Sequence, residues 1–78
     1  MQIEIITPDS TIFSGEIILA QFPGKDGSFE ILNNHAPIIS VLKKGKIKIQ
    51  DKEKQTHFFE ITGGVVEIKK NKIIVLAE

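Results

Sequence analysis

The 78-residue chain contains no cysteine, no arginine, no tryptophan and no tyrosine. Without cysteine there are no disulfide staples and no zinc site built on thiolates, and the composition fits a reducing compartment. All ten cationic side chains are lysine, so bidentate recognition of phosphate or carboxylate lacks the residue that usually performs it. A small β-barrel that binds nucleic acid interleaves aromatic rings with cations. Here Phe58 and Phe59 stand apart from the lysines and the formal net charge is zero, so nucleic acid is not an expected partner. No apolar run approaches the ~20 residues of a spanning helix. The start, "MQIEIITPDS", lacks the basic and apolar regions of a secretory signal. The expectation is a protein that is soluble, or at most peripheral to a membrane.

At this length the chain forms one domain, residues 1–78, whose core is thin because small domains bury only about 60% of their unfolded surface. Charge is unevenly spread. Residues 1–30 carry Glu4, Asp9, Glu16, Asp26 and Glu30 against Lys25 alone. Residues 43–54 carry Lys43, Lys44, Lys46, Lys48, Lys52 and Lys54 against Asp51 and Glu53. The second group reads as a solvated, edge-protecting set.

What the chain does have is β-branched residues in alternation. In "GKIKIQ", Ile47 and Ile49 face one way and Lys46, Lys48 and Gln50 the other, the period of a half-buried strand. "MQIEI" and "VVEIK" alternate likewise, placing Ile3 and Ile5, then Val66 and Ile68, on inner faces. "KIIVLAE" is apolar on both faces and reads as a central strand covered on both sides. Turn signals recur at Pro8-Asp9, Gly24 through Gly27, Asn33-Asn34, Gly45, Asp51, Gly63-Gly64 and Asn71. No helical stripe runs free of these breakers. The chain therefore reads as all-β, a two-sheet β-sandwich or flattened barrel of about eight to ten short strands. The strands fall near 2–7, 11–22, 28–32, 38–42, 45–50, 56–61, 65–69 and 73–77, with the long second one bulged or split at Gly15. One of Phe58 and Phe59 must point inward.

Catalytic equipment is hard to find. His35 and His57 lie in different segments with no metal-ligand spacing, and no "GxSxG" nucleophile elbow is present. "PGKDGS" fails the nucleotide-loop spacing and has no helix after it; Asp26-Gly27 reads as a hairpin turn. Glu4, Glu16, Glu60 and Glu67 alternate with apolar residues and belong on solvent faces, where nothing raises a carboxyl pKa for acid work. His35 reads as a loop spacer or a partner contact, with Asn33-Asn34 shaping the bend and Pro37 fixing entry to the next strand. Such a domain works through its surfaces, without catalytic residue, cofactor or metal.

The order of the motifs is more specific. "ITPDSTIFSGEI", "FPGKDGSFEIL", "NNHAPIISVLKKGKIKI" and "ITGGVVEIKKNKIIVLAE" together resemble the N-terminal β-sandwich domain of the epsilon subunit of F-type ATP synthases, over essentially the whole chain. The elements that carry the match are Phe13 and Gly15, the Gly24/Gly27 loop, His35-Ala36-Pro37, Leu42 and Gly45, Gly63-Gly64 before Val65-Val66-Glu67, and Val75-Leu76-Ala77. The resemblance implies a non-catalytic central-stalk subunit that couples ion flow to ATP synthesis. Its partners are the gamma subunit and the c-ring, and its place is peripheral, at the cytoplasmic face of the bacterial inner membrane. It assigns Asp26, Gly27 and Ser28 to the c-ring side, and Asp9, Ser10, His35 and Ser40 to the gamma side. Glu30 and Asn33-Asn34 depart from the small residue and the Pro-Gly common in the family, and asparagine tolerates the left-handed turn. Many members continue into a two-helix domain that inhibits ATP hydrolysis. This chain reads as a short form without it, able to couple but not to inhibit in that way. Gly63-Gly64 is expected to take positive φ at a sheet corner. An isolated copy, lacking gamma, is expected to expose an apolar flank through which it can self-associate. The alternative readings are a biotinyl or lipoyl-like carrier, which wants a lysine at a hairpin tip between methionines where this chain has only Met1, and a small β-sandwich binding domain.

Overall fold

The computed structural model describes residues 1–78. Every regular element is a strand: β1 Gln2–Ile6, β2 Thr11–Gly24, β3 Gly27–Leu32, β4 Ile38–Asp51, β5 Thr56–Lys69 and β6 Lys72–Ala77. The strand order is β1-β6-β5-β4-β2-β3, and β1 also pairs β2, which closes the sheet on itself. Only β1 and β6 run parallel.

The closed sheet is flattened into two layers because its three 14-residue strands each serve both. In the first layer the beginning of β2 pairs β1, β1 pairs β6, β6 pairs residues 64–69 of β5, and these pair the beginning of β4. In the second, β3 pairs residues 19–24 of β2, these pair the later part of β4, and residues 45–50 of β4 pair residues 56–61 of β5. Counted by layer there are five segments and four, in agreement with the two-sheet expectation.

The sequence reading breaks β4 and β5 each into two strands, and the structure joins them. The physical reason is a change of phase. Along β5 the inward positions are His57, Phe59, Ile61 and Gly63, and beyond that Val66 and Ile68. Along β4 they are Ile38, Ser40 and Leu42, then Ile47 and Ile49. A one-residue slip of the period exchanges the two faces of a strand, and a strand passing from one layer to the other must make that exchange. The two strands do so together, in a register that is unbroken from Ile38↔Ile68 to Gln50↔Thr56. Gly64, at φ 148°, sits at the crossing, in a conformation essentially confined to glycine. The positive φ expected of the glycine pair is present there.

In β2 the inward set changes from Phe13, Gly15 and Ile17 to Ala20 and Phe22. The register shift lies between Ile17 and Leu19, with another between Gln21 and Gly24. Gly15 pairs Ile3 without irregularity, which corrects the expected bulge at that glycine. Its lack of a side chain instead leaves room beside the Phe13 ring.

The core holds fifteen buried apolar residues and no buried polar or charged one. Nine of the fifteen are isoleucine, consistent with β-branched packing on pleated surfaces. Phe59 packs against this core and Phe58 points out, 59% exposed. Strand β6 is central, but it is covered on one face only: Ile73, Val75 and Ala77 are buried while Leu76 is 57% exposed. The expectation of a doubly covered strand is corrected there, and the uncovered side chains belong to the surface described next.

Candidate docking surfaces

The pairing register lays out the outer face of the first layer as rows. Val41, Val65, Leu76 and Ile6 lie side by side across four strands. The next row is Ile39, Glu67, Ile74 and Glu4. Directly opposed residues on one face touch, so the apolar members form one patch. Ile39 is 71% exposed, and Val41, Val65 and Leu76 are exposed as well. A shallow groove of about 190 Å³ crosses it, lined by Ile39, Val65, Glu67, Ile74 and Leu76. A contiguous apolar patch on a small domain marks an interaction site more often than single exposed side chains do.

The second surface is the β2–β3 hairpin. Gly24 pairs Gly27, so the loop is the two residues Lys25 and Asp26, one position earlier than the Asp26-Gly27 turn read from sequence. Gly27, at φ 132°, takes the strain of so short a connection. The Lys25 N–H donates to the Val41 carbonyl at 2.9 Å, which ties the tip to the edge of β4. Asp26, Gly27 and Ser28 are all exposed there and stand together.

The residues assigned to gamma do not form one cluster. Asp9 and Ser10 lie in the β1–β2 turn, where the Thr7 N–H donates to the Ser10 carbonyl at 2.8 Å and the Ser10 N–H to Thr7 Oγ1 at 3.1 Å. This turn follows Ile6 and adjoins the Leu76 end of the patch. His35 lies at the other end. Asn34 is left-handed at φ 64°, and its N–H donates to Asn71 Oδ1 at 3.0 Å. Asn71 Nδ2 donates to Asn33 Oδ1 at 2.8 Å, and the Gln2 N–H to the Asn71 carbonyl at 3.1 Å. His35 itself is exposed, and its side chain hydrogen-bonds to the neighbouring Ala36 carbonyl at 2.7 Å. Ser40 is half-buried in the inward phase of β4, opposite Val66. Thus Asp9, Ser10 and His35 bracket the apolar face, and Ser40 lies behind it.

The family model for the ATP synthase delta/epsilon chain β-sandwich domain matches residues 1–78. The chain belongs to that family. An ATP synthase epsilon chain of Chlorobium limicola is 40% identical over 77 residues, covering 99% of this chain and 88% of its own. That of Caulobacter vibrioides is 35% identical over 78 residues and 90% covered, whereas this chain spans only 60% of the Campylobacter curvus epsilon chain, at 38% identity. Among solved structures, a chain of the Euglena gracilis mitochondrial ATP synthase OSCP/F1/c-ring assembly superposes with TM-score 0.90 at 14% identity, over 96% of this chain and 48% of its own. A chain from the Tetrahymena thermophila ATP synthase central stalk and c-ring gives 0.82 at 20% identity, over 99% and 62%. These likenesses favour the ATP synthase reading over a carrier domain, although Lys25 does stand at a hairpin tip.

In this member of the family one polar constellation escapes a reading by motif. Asp51 opens the β4–β5 loop, and its Oδ1 accepts the N–H groups of Glu53 and Gln55, each at 2.9 Å. His57 Nε2 donates to Asp51 Oδ2 at 2.8 Å. That hydrogen bond, with the Gln55 N–H next in importance, holds the Asp51 carboxyl below the usual carboxylate range. The His57 ring lies 5.6 Å from Phe13, which lies 5.4 Å from Phe59, so the loop is fastened to the seam between layers. An aspartate opening a turn is a legible signal; its histidine partner depends on a register that spacing does not disclose. No group of three or more His, Cys, Asp or Glu side chains converges as metal ligands.

Proposed function

We propose that this chain is a non-catalytic rotor component of ATP synthase, held between the gamma subunit and the c-ring. It works by docking on two surfaces. The apolar outer face of the first layer takes gamma, and the Lys25–Ser28 hairpin meets the ring. In this reading the complex sits peripherally on the cytoplasmic face of a bacterial inner membrane.

The observation that carries the reading is the patch of Ile39, Val41, Val65 and Leu76, exposed on a domain whose remaining apolar side chains mostly close on a single core. Membership of the family supports it. So does the position of the gamma-assigned residues Asp9, Ser10 and His35 at the two ends of that face. A subunit that transmits torque must resist deformation. Strands that run through both layers and close the sheet supply this, since no layer can shift without breaking ladder hydrogen bonds.

Co-expression with gamma and the c subunit, followed by affinity purification, tests the proposal. The chain is expected to co-purify with both in stoichiometric amount. Recovery of gamma and c-ring without it would overturn the reading.

A further inference from the structure

Glu67 is exposed on this face, between Val65 and Lys69 along the same side of β5, and it forms no ion pair. Cross-strand it faces Ile39 on one side and Ile74 on the other. Its carboxylate makes no side-chain hydrogen bond, and the ion pairs of the molecule lie elsewhere: Met1 with Glu16, His57 with Asp51, and Lys72 with Glu4. The nearby Lys72 is thus engaged at 3.4 Å by Glu4. Three adjoining surface hollows each count Glu67 among their lining residues, and Lys69, Lys70 and Lys72 line one of them without closing an ion pair to Glu67. It is the point where the grooves of this face meet.

A carboxylate in such a place decides what can cover it. Docking an apolar surface over Glu67 would strip its water without replacement, which strongly disfavours such a partner. A partner that brings one cation to this point turns the penalty into a charge-assisted bond. A second copy of this chain, packed face to face with the two-fold axis passing at Glu67, would set Glu67 against Glu67, since a residue on such an axis meets its own copy. A surface that carries a cation at this point is therefore the better match.

We infer that Glu67 is a specificity-determining residue of this face, receiving a lysine or arginine of the docking partner. The cation's aliphatic stem lies in the groove between Ile39, Val65, Ile74 and Leu76. This inference rests on the proposed gamma-docking reading and specifies its chemistry: gamma presents an apolar surface carrying one cation opposite Glu67.

The test measures affinity of the purified chain for purified gamma as a function of salt, for the wild type, Glu67→Gln, Glu67→Lys, Ile39→Ser and Leu76→Ser. All three positions are exposed, and circular dichroism verifies that each variant stays folded. Glu67→Gln is expected to weaken binding about tenfold at low salt and to flatten the salt dependence, because it leaves the partner's cation unpaired. Glu67→Lys is expected to weaken binding at least tenfold further. If the Ile39 and Leu76 variants lose affinity while both Glu67 variants bind as wild type, the ion pair is wrong and the docking face stands. If none of the four changes binding, the face itself is wrong, and the inference falls with it. Light scattering that shows a dimer disrupted by Leu76→Ser, with gamma binding unaltered, would assign the face to a second copy and overturn both.

Discussion

Replacing Gly64 by alanine strikes the point where β5 passes between layers. At φ 148° the residue occupies a region that an L side chain adopts at a cost of about 1–3 kcal/mol. A Cβ there would collide with the Leu76 carbonyl oxygen and come within 3.1 Å of the Ala77 Cα. Both atoms belong to the backbone of β6, which pairs Gly64 through Ala77, so neither can rotate out of the way. Relief requires displacing the end of β6. The combined penalty is about 3 kcal/mol or more. A domain of this size has only about 4–12 kcal/mol in total at the usual 0.05–0.15 per residue. Each kcal/mol moves the melting temperature of so small a domain by roughly 4–8 °C, so the variant should melt some 12–24 °C lower. Thermal and urea unfolding followed by far-UV circular dichroism measure it. Gly15→Ala is the matched control, since its Cβ would meet only the Phe13 ring at 3.5–3.6 Å, ordinary contact. A Gly64→Ala protein within about 1 kcal/mol of wild type would refute the strain argument, whatever Gly15→Ala does.

Phe22, 1% exposed and with its ring centroid 5.5 Å from that of Phe29, is the largest fully buried side chain. Phe22→Ala should cost about 3–5 kcal/mol, seen as a lower urea midpoint at unchanged slope. Asp51→Asn should reveal a pH signature: the folded-state pKa of Asp51 lies below its ordinary 3.8, so its stabilising contribution is present above about pH 4 and lost as pH falls through the folded value. Wild type should therefore melt above the variant at pH 5, and the gap should narrow as the pH is taken down past 3.8; a gap that widens toward acid would contradict the assignment. Asn71→Ala removes the acceptor of the Asn34 N–H and the donor to Asn33. It should cost about 1 kcal/mol and speed amide exchange in residues 33–36, with β4 exchange unchanged.

Much of the fold is legible in alternation. "MQIEI" and "GKIKIQ" announce Ile3, Ile5, Ile47 and Ile49 as inward, and all four are fully buried. Continuity of the strands is not legible, because the period slips where β4 and β5 cross between layers, and a slip in pattern reads as a break. "KIIVLAE" misleads for another reason. Its second apolar face looks like core, yet it is the uncovered patch, and sequence does not distinguish a side chain buried by its own chain from one awaiting a partner. The hairpin residues Asp26, Gly27 and Ser28 stand together because they are adjacent in sequence. The assembly of Ile39, Val65, Glu67 and Leu76 depends on pairings between distant segments, on which local spacing is silent; the Asp51–His57 contact is local but depends on the register in which the β4–β5 loop closes.

The absence of native cysteine makes the central claim directly measurable by single-cysteine labelling. Val65→Cys places a thiol in the middle of the proposed gamma face, and Phe58→Cys places one on the outside of the other layer, opposite Lys48. Both should react readily with a maleimide in the isolated chain. In the assembled rotor, Val65→Cys should be protected at least tenfold while Phe58→Cys reacts as before. Protection of Phe58→Cys with Val65→Cys left open would contradict the account.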